Sequence, residues 1–396
     1  MSICSMKSLL VDSFSGEWGT ETGEVLTPVL RTANFNEDGS FDYSSPAYRC
    51  ISEKKVQAKR MRRGDIVLEK SGGTPNRPVG IMAYYDSDDE ALCSNFNHVL
   101  RFDADSVNSF FMFHQLRWLR ERGAFAPYTR KTTGLQNLQM KAFVDLELTV
   151  PPRVKQDDVA AAIRAIDSER NELNTLLERL DELVKSRFVE MFGNPVTNSM
   201  GWPISTIKET ALLYGDGPFG SNLKSSDYVP EGVRVIRLGN ILQGAFSEKD
   251  RSFVSYEKYE SLKRYECKPG QVVIATLGDP LLRACLVPDF GVPSIHKADC
   301  MYYETDPEKV LPLFAVNVIN HPTMLERAGV DGHGQTRQRI NSTQTGNLPM
   351  ILPPIALQQE FVTFVQQVDK LKFETQQAIE KLQLLYDSLA QEYFGS

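Results

Sequence analysis

A long segment occurs twice in this chain at a fixed spacing, which strongly limits the folds that the chain can adopt. Residues 151–193 align without a gap on residues 353–395, at a separation of 202, and 12 of the 43 aligned positions are identical. Each copy begins with Pro-Pro and ends with Phe-Gly. Apolar residues recur at steps of three and four in both copies, which is the pattern of a long amphipathic helix with a narrow apolar seam. The chain is therefore expected to contain two long, related helices.

The ends of both helices follow from the residues at the repeat boundaries. Proline fixes its own backbone and restricts the residue before it, so each helix is expected to begin just after its Pro-Pro pair. Gly193 and Gly395 suit the caps at the far ends. A helix of about 35 residues would be roughly 50 Å long, which would overhang a domain of about 150 residues.

Two arrangements fit such helices, because each can pack on its own domain or the two can pair with each other. We expect pairing, since so long a helix would overhang its domain. The predicted helix-pairing residues lie along the apolar seam and are Ile163, Ile166, Leu173, Leu177, Leu180, Val184, Val365, Val368, Ile379, Leu382, Tyr386 and Leu389.

Composition indicates an ordinary soluble protein of two or three domains. The chain has 396 residues, of which 41% are hydrophobic and 24% are charged. No apolar run reaches the ~18 residues of a membrane span, so we expect no membrane contact and a cytoplasmic location. The six cysteines form no Cys-x-x-Cys pair, so the sequence indicates neither a zinc site nor a disulfide framework.

The net charge of −7 argues at first against a nucleic-acid partner. The two repeated segments account for most of it, because residues 151–193 carry seven basic and nine acidic side chains and residues 353–395 carry three and six, which gives −5 together. The remaining sequence is about −2, and its charge is uneven. Six of the ten residues 54–63 are basic. This run is either a solvated face or a track for phosphates.

The segments in front of the two helices repeat more faintly. The shared positions, at a separation of 206, are Arg31 and Asn34 with Arg237 and Asn240, residues 64–67 with 270–273, and Gly72 with Gly278. The chain is thus two copies of a unit in which a globular domain precedes a long helix. The predicted divisions are residues 1–150, 151–193, 194–350 and 351–396.

Each globular segment mixes strands and helices. Residues 64–73 and 270–278 each predict a turn, a buried strand and a glycine-containing loop. Residues 108–122 and 309–327 predict helices. Strands of unknown pairing around a few helices make an α+β domain.

Motifs for catalysis are missing from the sequence. Residues 215–220 fit Gly-x-Gly-x-x-Gly, but a dinucleotide fingerprint must open a helix, and residues 221–230 have no helical period. There is no phosphate loop of the Gly-x-x-x-x-Gly-Lys-Ser/Thr type and no Asn/Asp-Pro-Pro-aromatic tetrad of amino-methyltransferases. The five histidines lack ligand spacing. The pattern indicates a binding protein or a scaffold and not an enzyme.

The layout resembles the DNA-specificity subunit of type I restriction-modification systems, in which two target-recognition domains alternate with two helical regions. The resemblance covers nearly the whole chain and is carried by residues 352–361, 185–195, 335–340 and 215–228, and by the two strand-loop pairs. The first domain departs from the pattern. Its start, residues 16–19, lacks the Gly-Pro-Phe-Gly-Ser element found at residues 217–221.

The resemblance implies an antiparallel coiled coil of the two helices and two domains related by a pseudo-twofold axis, docked on the major grooves of two separated half-sites. It implies a non-catalytic subunit that binds double-stranded DNA at a bipartite, gapped site. The expected partners are two methyltransferase (modification) subunits and two restriction (translocase/endonuclease) subunits. This chain is expected to bind no cofactor, whereas S-adenosylmethionine, ATP and magnesium are expected on the partner subunits.

The predicted DNA-binding residues are the glycine loops after the paired strands, together with flanking polar groups. Glycine lets backbone N–H groups come close to a phosphate or a base edge. In the first domain the candidates are Lys59, Arg60, Arg62 and Arg63 as a phosphate track, with Lys70, Ser71, Gly72, Gly73, Thr74, Arg130, Lys131 and Gln136. In the second domain they are Ser221, Lys224, Arg237, Asn240, Thr276, Gly278, Gln335, Arg337 and Gln338.

Alternatives remain for individual residues and for the whole chain. The repeated Arg31/Asn34 and Arg237/Asn240 pairs fit equally well as braces of the fold. As a whole, the chain could instead be a non-catalytic protein-interaction scaffold with tandem domains, which its acidic charge supports. A dinucleotide-dependent enzyme that uses residues 215–220 is a third hypothesis.

Overall fold

Two compact units make up the chain. The computed structural model describes residues 2–23, 25–74, 76–132, 134–331 and 338–395. The first unit comprises Met1–Leu173 with Gln377–Ser396, and the second comprises Asn174–Gln376. Each unit therefore combines one globular part with portions of both long helices. The four-part division predicted from the sequence cuts the chain differently and stays a prediction.

The globular part of the first unit is a mixture of short strands and helices. Its strands are β1 (Ser2–Ser5), β2 (Leu10–Ser15), β3 (Val25–Leu30), β4 (Ala47–Ile51), β5 (Ile66–Glu69), β6 (Ser71–Gly73), β7 (Met82–Tyr84), β8 (Leu92–Cys93), β9 (Asn97–Phe102), β10 (Thr129–Thr132), β11 (Leu135–Leu138) and β12 (Glu147–Val150). Its helices are α1 (Glu53–Lys59), α2 (Ser109–Glu121) and α3 (Met140–Phe143).

These strands form four small sheets. An antiparallel sheet of order β2-β9-β5-β7 has the fully buried β5 at its centre. A second sheet has the order β4-β3-β8, with β3 and β8 parallel. The third is β10-β11-β6, and β1 pairs with β12 at the entry to the long helix. The buried strand and glycine loop predicted for residues 64–73 correspond to β5 and β6.

One long helix, α4 (Arg153–Phe192), runs on from the first globular part. The second unit then adds further short strands, which are β13 (Ile204–Thr206), β14 (Ala211–Asp216), β15 (Tyr228–Val229), β16 (Val233–Ile236), β17 (Ser252–Val254), β18 (Glu266–Cys267), β19 (Val272–Ala275), β20 (Arg283–Leu286), β21 (Ser294–His296), β22 (Cys300–Thr305) and β23 (Pro349–Ile351). Its helices are α5 (Tyr256–Leu262), α6 (Pro312–Ile319), α7 (Pro322–Asp331), α8 (Ser342–Gly346) and the second long helix, α9 (Ile355–Phe394).

The second unit repeats the sheet plan of the first. Its central sheet has the order β14-β22-β19-β20, which matches β2-β9-β5-β7 strand for strand. A second sheet, of order β15-β17-β16-β21-β18, contains the parallel pair β16 and β21, as β3 and β8 do in the first unit. The β13-β23 pair matches β1-β12. The internal repeat inferred from the sequence is therefore a repeat of topology.

One predicted helix is wrong in its extent. Residues 309–327 were expected to form a single helix, but α6 ends at Ile319 and α7 begins at Pro322. Proline has no backbone N–H to donate and its ring clashes with the preceding turn, so the first helix cannot continue through it. The side chain of Asn320 instead bonds both backbone groups of Ala284 on β20, at 2.9 and 2.8 Å.

Both long helices begin where the sequence predicts, just behind Pro-Pro, because the buried glutamine in each first turn fixes the start. Gln156 accepts the N–H of Asn108 at 2.8 Å and donates to the carbonyl of Pro151 at 2.8 Å. Gln358 accepts the N–H of Leu311 at 3.0 Å and donates to the carbonyl of Pro353 at 2.9 Å. The two glutamines occupy the same position of the sequence repeat.

The long helices run antiparallel within the second unit. There Arg187 of α4 pairs with Glu360 of α9 at 2.9 Å, and Asp181 of α4 pairs with Lys372 of α9 at 2.5 Å. The partner number on α9 rises as the number on α4 falls, which defines the antiparallel direction.

The predicted seam residues face away from solvent to different degrees. Those that are buried are Ile163, Ile166, Leu180, Val365 and Val368, and the other seven are half-buried. In the first unit Ile163 belongs to the same apolar cluster as Phe394, and in the second Val184 and Val365 share another with Phe361. A continuous coiled coil along both helices stays a prediction.

Candidate nucleic-acid interface

In the first unit, the glycine loop and the flanking polar residues predicted with it lie side by side. Strand β6 pairs with β11, so that Gly73 is opposite Gln136 and Ser71 is opposite Asn137. Strand β11 pairs in turn with β10, where Lys131 is opposite Gln136. The glycine loop 70–74 and the polar stretch 130–136 therefore form one small three-stranded sheet.

Some of the predicted residues in this sheet have a structural role. Gly72 has φ +112°, a conformation that favours glycine. A side chain on Gly73 would collide with the backbone of Val79. Gln136 is buried and accepts the Val79 N–H at 3.4 Å. The Gln136 side chain is thus engaged inside the fold, whereas Thr74 is exposed and Ser71 and Gly72 are half-buried.

The basic side chains of this sheet differ in their exposure and in their hydrogen-bond partners. Lys70 is half-buried and its Nζ donates to Ser15 Oγ at 2.7 Å. Burial lowers the pKa of Lys70 below its ordinary value. Arg130 and Lys131 are exposed, and neither side chain has an ion-pair partner among the residues that the structure describes. These two are the better placed to meet a phosphate.

The second unit brings the corresponding stretches together with the same hydrogen bond. The Ile340 N–H donates to the Thr276 carbonyl at 3.0 Å, as the Leu138 N–H donates to the Lys70 carbonyl at 2.8 Å in the first unit. Donors and acceptors are related by the repeat spacings of 202 and 206. The Gly278 N–H adds a bond to the Gln338 carbonyl at 3.2 Å.

The predicted residues of this second interface vary in exposure. Gly278 has φ +121°, and Lys224 and Gln338 are exposed. Thr276 is buried, and its Oγ1 donates to the Asp299 carbonyl at 3.1 Å, so its side chain braces the fold. Gln335 and Arg337 lie outside the described residues, as does the side chain of Ser221.

Arg339 is a cation of this surface that the sequence analysis missed. Its guanidinium pairs with Asp299 at 2.8 Å and lies 5.4 Å from the ring centre of Phe219. It sits one residue beyond the predicted Gln338, at the β-bridge to Leu277. The sequence signal was available, because residues 335–340 were singled out for the resemblance.

The repeated Arg-Asn pairs brace the fold. Asn34 and Asn240 are fully buried, and the Oδ1 of each accepts the N–H of the arginine three residues earlier at 2.9 Å. Each Nδ2 donates to two backbone carbonyls. Asn240 was predicted to contact DNA, but its side chain is buried, and both its Oδ1 and its Nδ2 bond to groups within the fold. Arg237 is half-buried and pairs with Asp250 at 2.8 Å.

The predicted phosphate track is partly neutralised within the first unit. Lys59 pairs with Glu17 at 3.1 Å, and Arg63 is held by two aspartates of the 86–88 loop. Arg60 and Arg62 are exposed, and no ion pair to either side chain occurs in the described part of the chain. Of the four predicted track residues, Arg60 and Arg62 are thus the ones available to a phosphate.

The described residues form neither a metal-binding cluster nor a dinucleotide-binding helix start nor a membrane-spanning helix. Within the described ranges there is no cluster of three or more His, Cys, Asp or Glu side chains arranged to hold a metal ion. Residues 215–220 end strand β14 and enter a short 3-10 turn, so they open no helix that could bind a dinucleotide. None of the helices in the described chain combines the length and the apolarity needed to span a membrane.

One curated protein shares part of the sequence. No family model matches the chain. The chain is 21% identical over 188 residues to the type I restriction enzyme MjaVIII specificity subunit of Methanocaldococcus jannaschii. That match covers 44% of this chain and 42% of the relative, so the chain spans less than half the length of this curated relative.

Solved structures match over nearly the whole chain. One comes from a study of complex assembly and conformational transition of a type I restriction-modification system, with a TM-score of 0.60, 16% identity and coverage of 99% of this chain and 97% of that one. Another is the type I restriction-modification S subunit of M. genitalium, with a TM-score of 0.57, 16% identity and coverage of 99% and 96%. The chain has the fold of type I restriction-modification S subunits. The predicted α+β class is thereby confirmed.

The S-subunit fold also bears on the hypotheses drawn from the sequence. The likeness covers both globular parts and both long helices, so the resemblance first carried by short motifs applies to the whole chain. It does not favour the tandem interaction scaffold, nor the dinucleotide-dependent enzyme.

Proposed function

We propose that this chain is the non-catalytic DNA-specificity subunit of a type I restriction-modification complex. Each unit recognises one half of a bipartite, gapped site in double-stranded DNA. The observation that carries the proposal is the repeated pairing of the two polar stretches, residues 70–74 with 130–136 and residues 276–278 with 338–340. The S-subunit fold of the whole chain supports it.

Contacts to phosphate and contacts to bases have different roles in this proposal. The exposed cations Arg130, Lys131 and Lys224 bind phosphates and hold each unit in register on the duplex. Exposed polar groups such as Gln338 contact base edges in the major groove. Because the chain carries a net charge of −7, it binds DNA weakly alone, and partner subunits supply further basic surface.

The partners in this proposal are two methyltransferase subunits and two restriction subunits. S-adenosylmethionine, ATP and magnesium belong to those partners, and this chain holds none of them.

A duplex-binding experiment tests the proposal. The full-length chain is titrated onto a random pool of duplexes, alone and together with its methyltransferase subunits, and bound DNA is sequenced. We expect weak, unselective binding by the chain alone and enrichment of one gapped sequence by the assembly. If the assembly forms and the chain adds no sequence preference to that of the methyltransferase subunits, the proposed function is wrong and the scaffold hypothesis is favoured.

A further inference from the structure

The two candidate interfaces carry different side chains at equivalent places beside their glycine loops. The carbonyl of Phe96 accepts the Lys70 N–H at 2.9 Å, and the carbonyl of Asp299 accepts the Thr276 N–H at 2.9 Å. Because Lys70 and Thr276 occupy the same position of the repeat, Asp299 takes the place of Phe96. The second unit therefore has a carboxylate where the first has an aromatic ring.

A second difference lies on the stretch that pairs with each loop. Arg339 precedes Ile340 in the second unit, and Asn137 precedes Leu138 at the same repeat position of the first. In the second unit the Nη2 of Arg339 and the Oδ1 of Asp299 are 2.8 Å apart. The first unit has no arginine–aspartate pair at these two positions, so any effect of the pair on recognition belongs to one half-site.

Arg339 is held on two sides and is still open to solvent. Besides the contact to Asp299, its guanidinium lies 5.4 Å from the ring centre of Phe219, within the range of a cation–π interaction. Its side chain is 47% exposed. The contact to Asp299 is an ion pair without the alignment of a hydrogen bond, since the Oδ1 has no hydrogen-bond partner in the described chain. The N–H donors of Arg339 therefore remain available to a ligand.

The backbone places Arg339 against the glycine loop of the second unit. Arg339 forms a β-bridge with Leu277, and the carbonyl of the neighbouring Gln338 accepts the Gly278 N–H at 3.2 Å. A loop that approaches DNA through Gly278 brings Arg339 with it. At this step the inference rests on the proposed function, which assigns the glycine loop to DNA.

The charges around Arg339 favour a neutral acceptor over a phosphate. Asp299 offsets the charge of the guanidinium, and the half-buried carboxyl of Asp216 is close enough for its pKa to respond to both groups. An anionic phosphate would be repelled by these carboxylates. The O6 and N7 atoms of guanine are neutral acceptors that match the fork of a guanidinium, and arginine to guanine is the commonest specific contact in the major groove.

We propose that Arg339 recognises a guanine in the half-site bound by the second unit. Its guanidinium donates two hydrogen bonds, to O6 and N7 of that base, in the major groove. Asp299 is a positioning residue that orients the guanidinium and offsets its charge, and Phe219 supports the guanidinium through its ring. The first unit makes no such contact, because Asn137 and Phe96 stand at the equivalent places.

The first arm of the test compares base preferences of the full-length chain assembled with its methyltransferase subunits. Duplexes bound from a random pool are sequenced. We expect one half-site of the wild type to contain a guanine that Arg339→Ala and Arg339→Lys no longer select, because lysine keeps the charge but lacks the fork. Arg251→Ala, which removes an exposed arginine paired with Glu248, should keep that guanine. Thermal unfolding checks that each variant is folded.

The second arm measures the affinity of the same assemblies for defined duplexes. Replacing the guanine by another base should weaken wild-type binding by about 5- to 150-fold and leave Arg339→Ala nearly unaffected. A 7-deazaguanine, which lacks the N7 acceptor, should also weaken the wild type but not Arg339→Ala.

The variant Asp299→Asn tests the positioning role. Asparagine tolerates the backbone angle φ +64° at this residue, and it keeps the shape of the side chain while removing its charge. We expect the variant to lose preference for the guanine and to bind other sequences at least as well as the wild type. A purely structural role would instead weaken binding to all sequences alike.

The inference is overturned if the assembly selects a gapped site that has no guanine, or if Arg339→Ala keeps every base of that site. It is also overturned if Arg339→Lys keeps the guanine while Arg339→Ala weakens all sequences alike, which is the result of a phosphate contact. Each of these results leaves the proposed function intact. If the wild-type assembly selects no gapped site, the proposed function fails and the inference fails with it.

Discussion

The buried glutamines Gln156 and Gln358 show how single residues fix the start of a long element. Replacing Gln358 by alanine leaves the Leu311 N–H and the Lys309 and Pro353 carbonyls without their partner. We expect the free energy of unfolding to fall by about 1–3 kcal/mol, measured by urea denaturation. Gln359→Ala, at the exposed neighbouring position, should change it by less than about 0.5 kcal/mol. Equal losses in the two variants would contradict this role.

Buried His98 makes the first unit sensitive to acid. Burial, with the nearby charge of Lys70 as a smaller cause, lowers the pKa of His98 to about 4. In the unfolded chain its pKa is about 6.5, so the unfolded state binds the proton at a higher pH than the folded state. The stability that neutral His98 provides is therefore complete above about pH 6.5 and is lost as the pH falls towards 4.

The variant His98→Gln tests this effect, since glutamine keeps a polar group beside Ser13 but cannot titrate. Between pH 6 and 5 we expect the wild type to lose up to about 1.4 kcal/mol per pH unit more than the variant. The unfolding free energy of both is measured by urea denaturation at several pH values. Parallel pH profiles would show that His98 contributes no such dependence.

Lys131 is the exposed cation best suited to test phosphate contact. In the assembled methyltransferase, Lys131→Ala should weaken binding to all sequences alike and flatten the dependence of log affinity on log salt by about one. Lys7→Ala, which removes another exposed lysine of the first unit, serves as the control. An unchanged affinity and salt slope in Lys131→Ala would place this sheet away from the DNA backbone.

The sequence located the stretches of the candidate interface, but it did not predict the burial of each side chain. Residues 70–74 were predicted to contact DNA together with Arg130, Lys131 and Gln136, and the structure pairs these two stretches in one sheet. Side-chain burial was not available from the repeat, so Thr276, Asn240 and Gln136 were selected although they serve the fold.

For the helices and strands, the strongest sequence signals come from proline and glycine, which restrict or free the backbone. The Pro-Pro pairs predicted the starts of α4 and α9, and Gly193, at φ +69°, directly follows Phe192, the last residue of α4. The break between α6 and α7 was missed because apolar periodicity continues across it, although Pro322 supplies the physical reason. Strand pairing was not predicted, because partners far apart in sequence leave no local signal.

The two long helices should set the spacing between the half-sites. In one variant, four residues are inserted after Leu180 and four more beside Lys372, which lengthens each helix by ~6 Å. The two insertion sites lie close together, because Lys372 pairs with Asp181. The gap should widen by about one or two base pairs at ~3.4 Å each, with unchanged half-site sequences. Methylated sites are sequenced, and insertions of seven residues should widen the gap further. Methylation at the original spacing in both variants would contradict the prediction.

The repeat of 202 residues was visible in the sequence, but which chain segments make up each unit was not. Residues 377–396 belong to the first unit although they follow the second globular part in the chain. This exchange follows from antiparallel helices, whose direction is fixed by long-range contacts such as Arg187 with Glu360. Local patterns predict the helices, and only the packed chain gives their partners.

Exchanging one globular part tests whether each unit recognises its own half-site. Trp202–Asn347 is replaced by the corresponding segment of a relative with a different target, and the methylated DNA of cells that produce the variant with its partner subunits is sequenced. We predict that one half of the gapped site changes while the other half is retained. A change in both halves, or in neither while the variant still supports methylation, would contradict the claim.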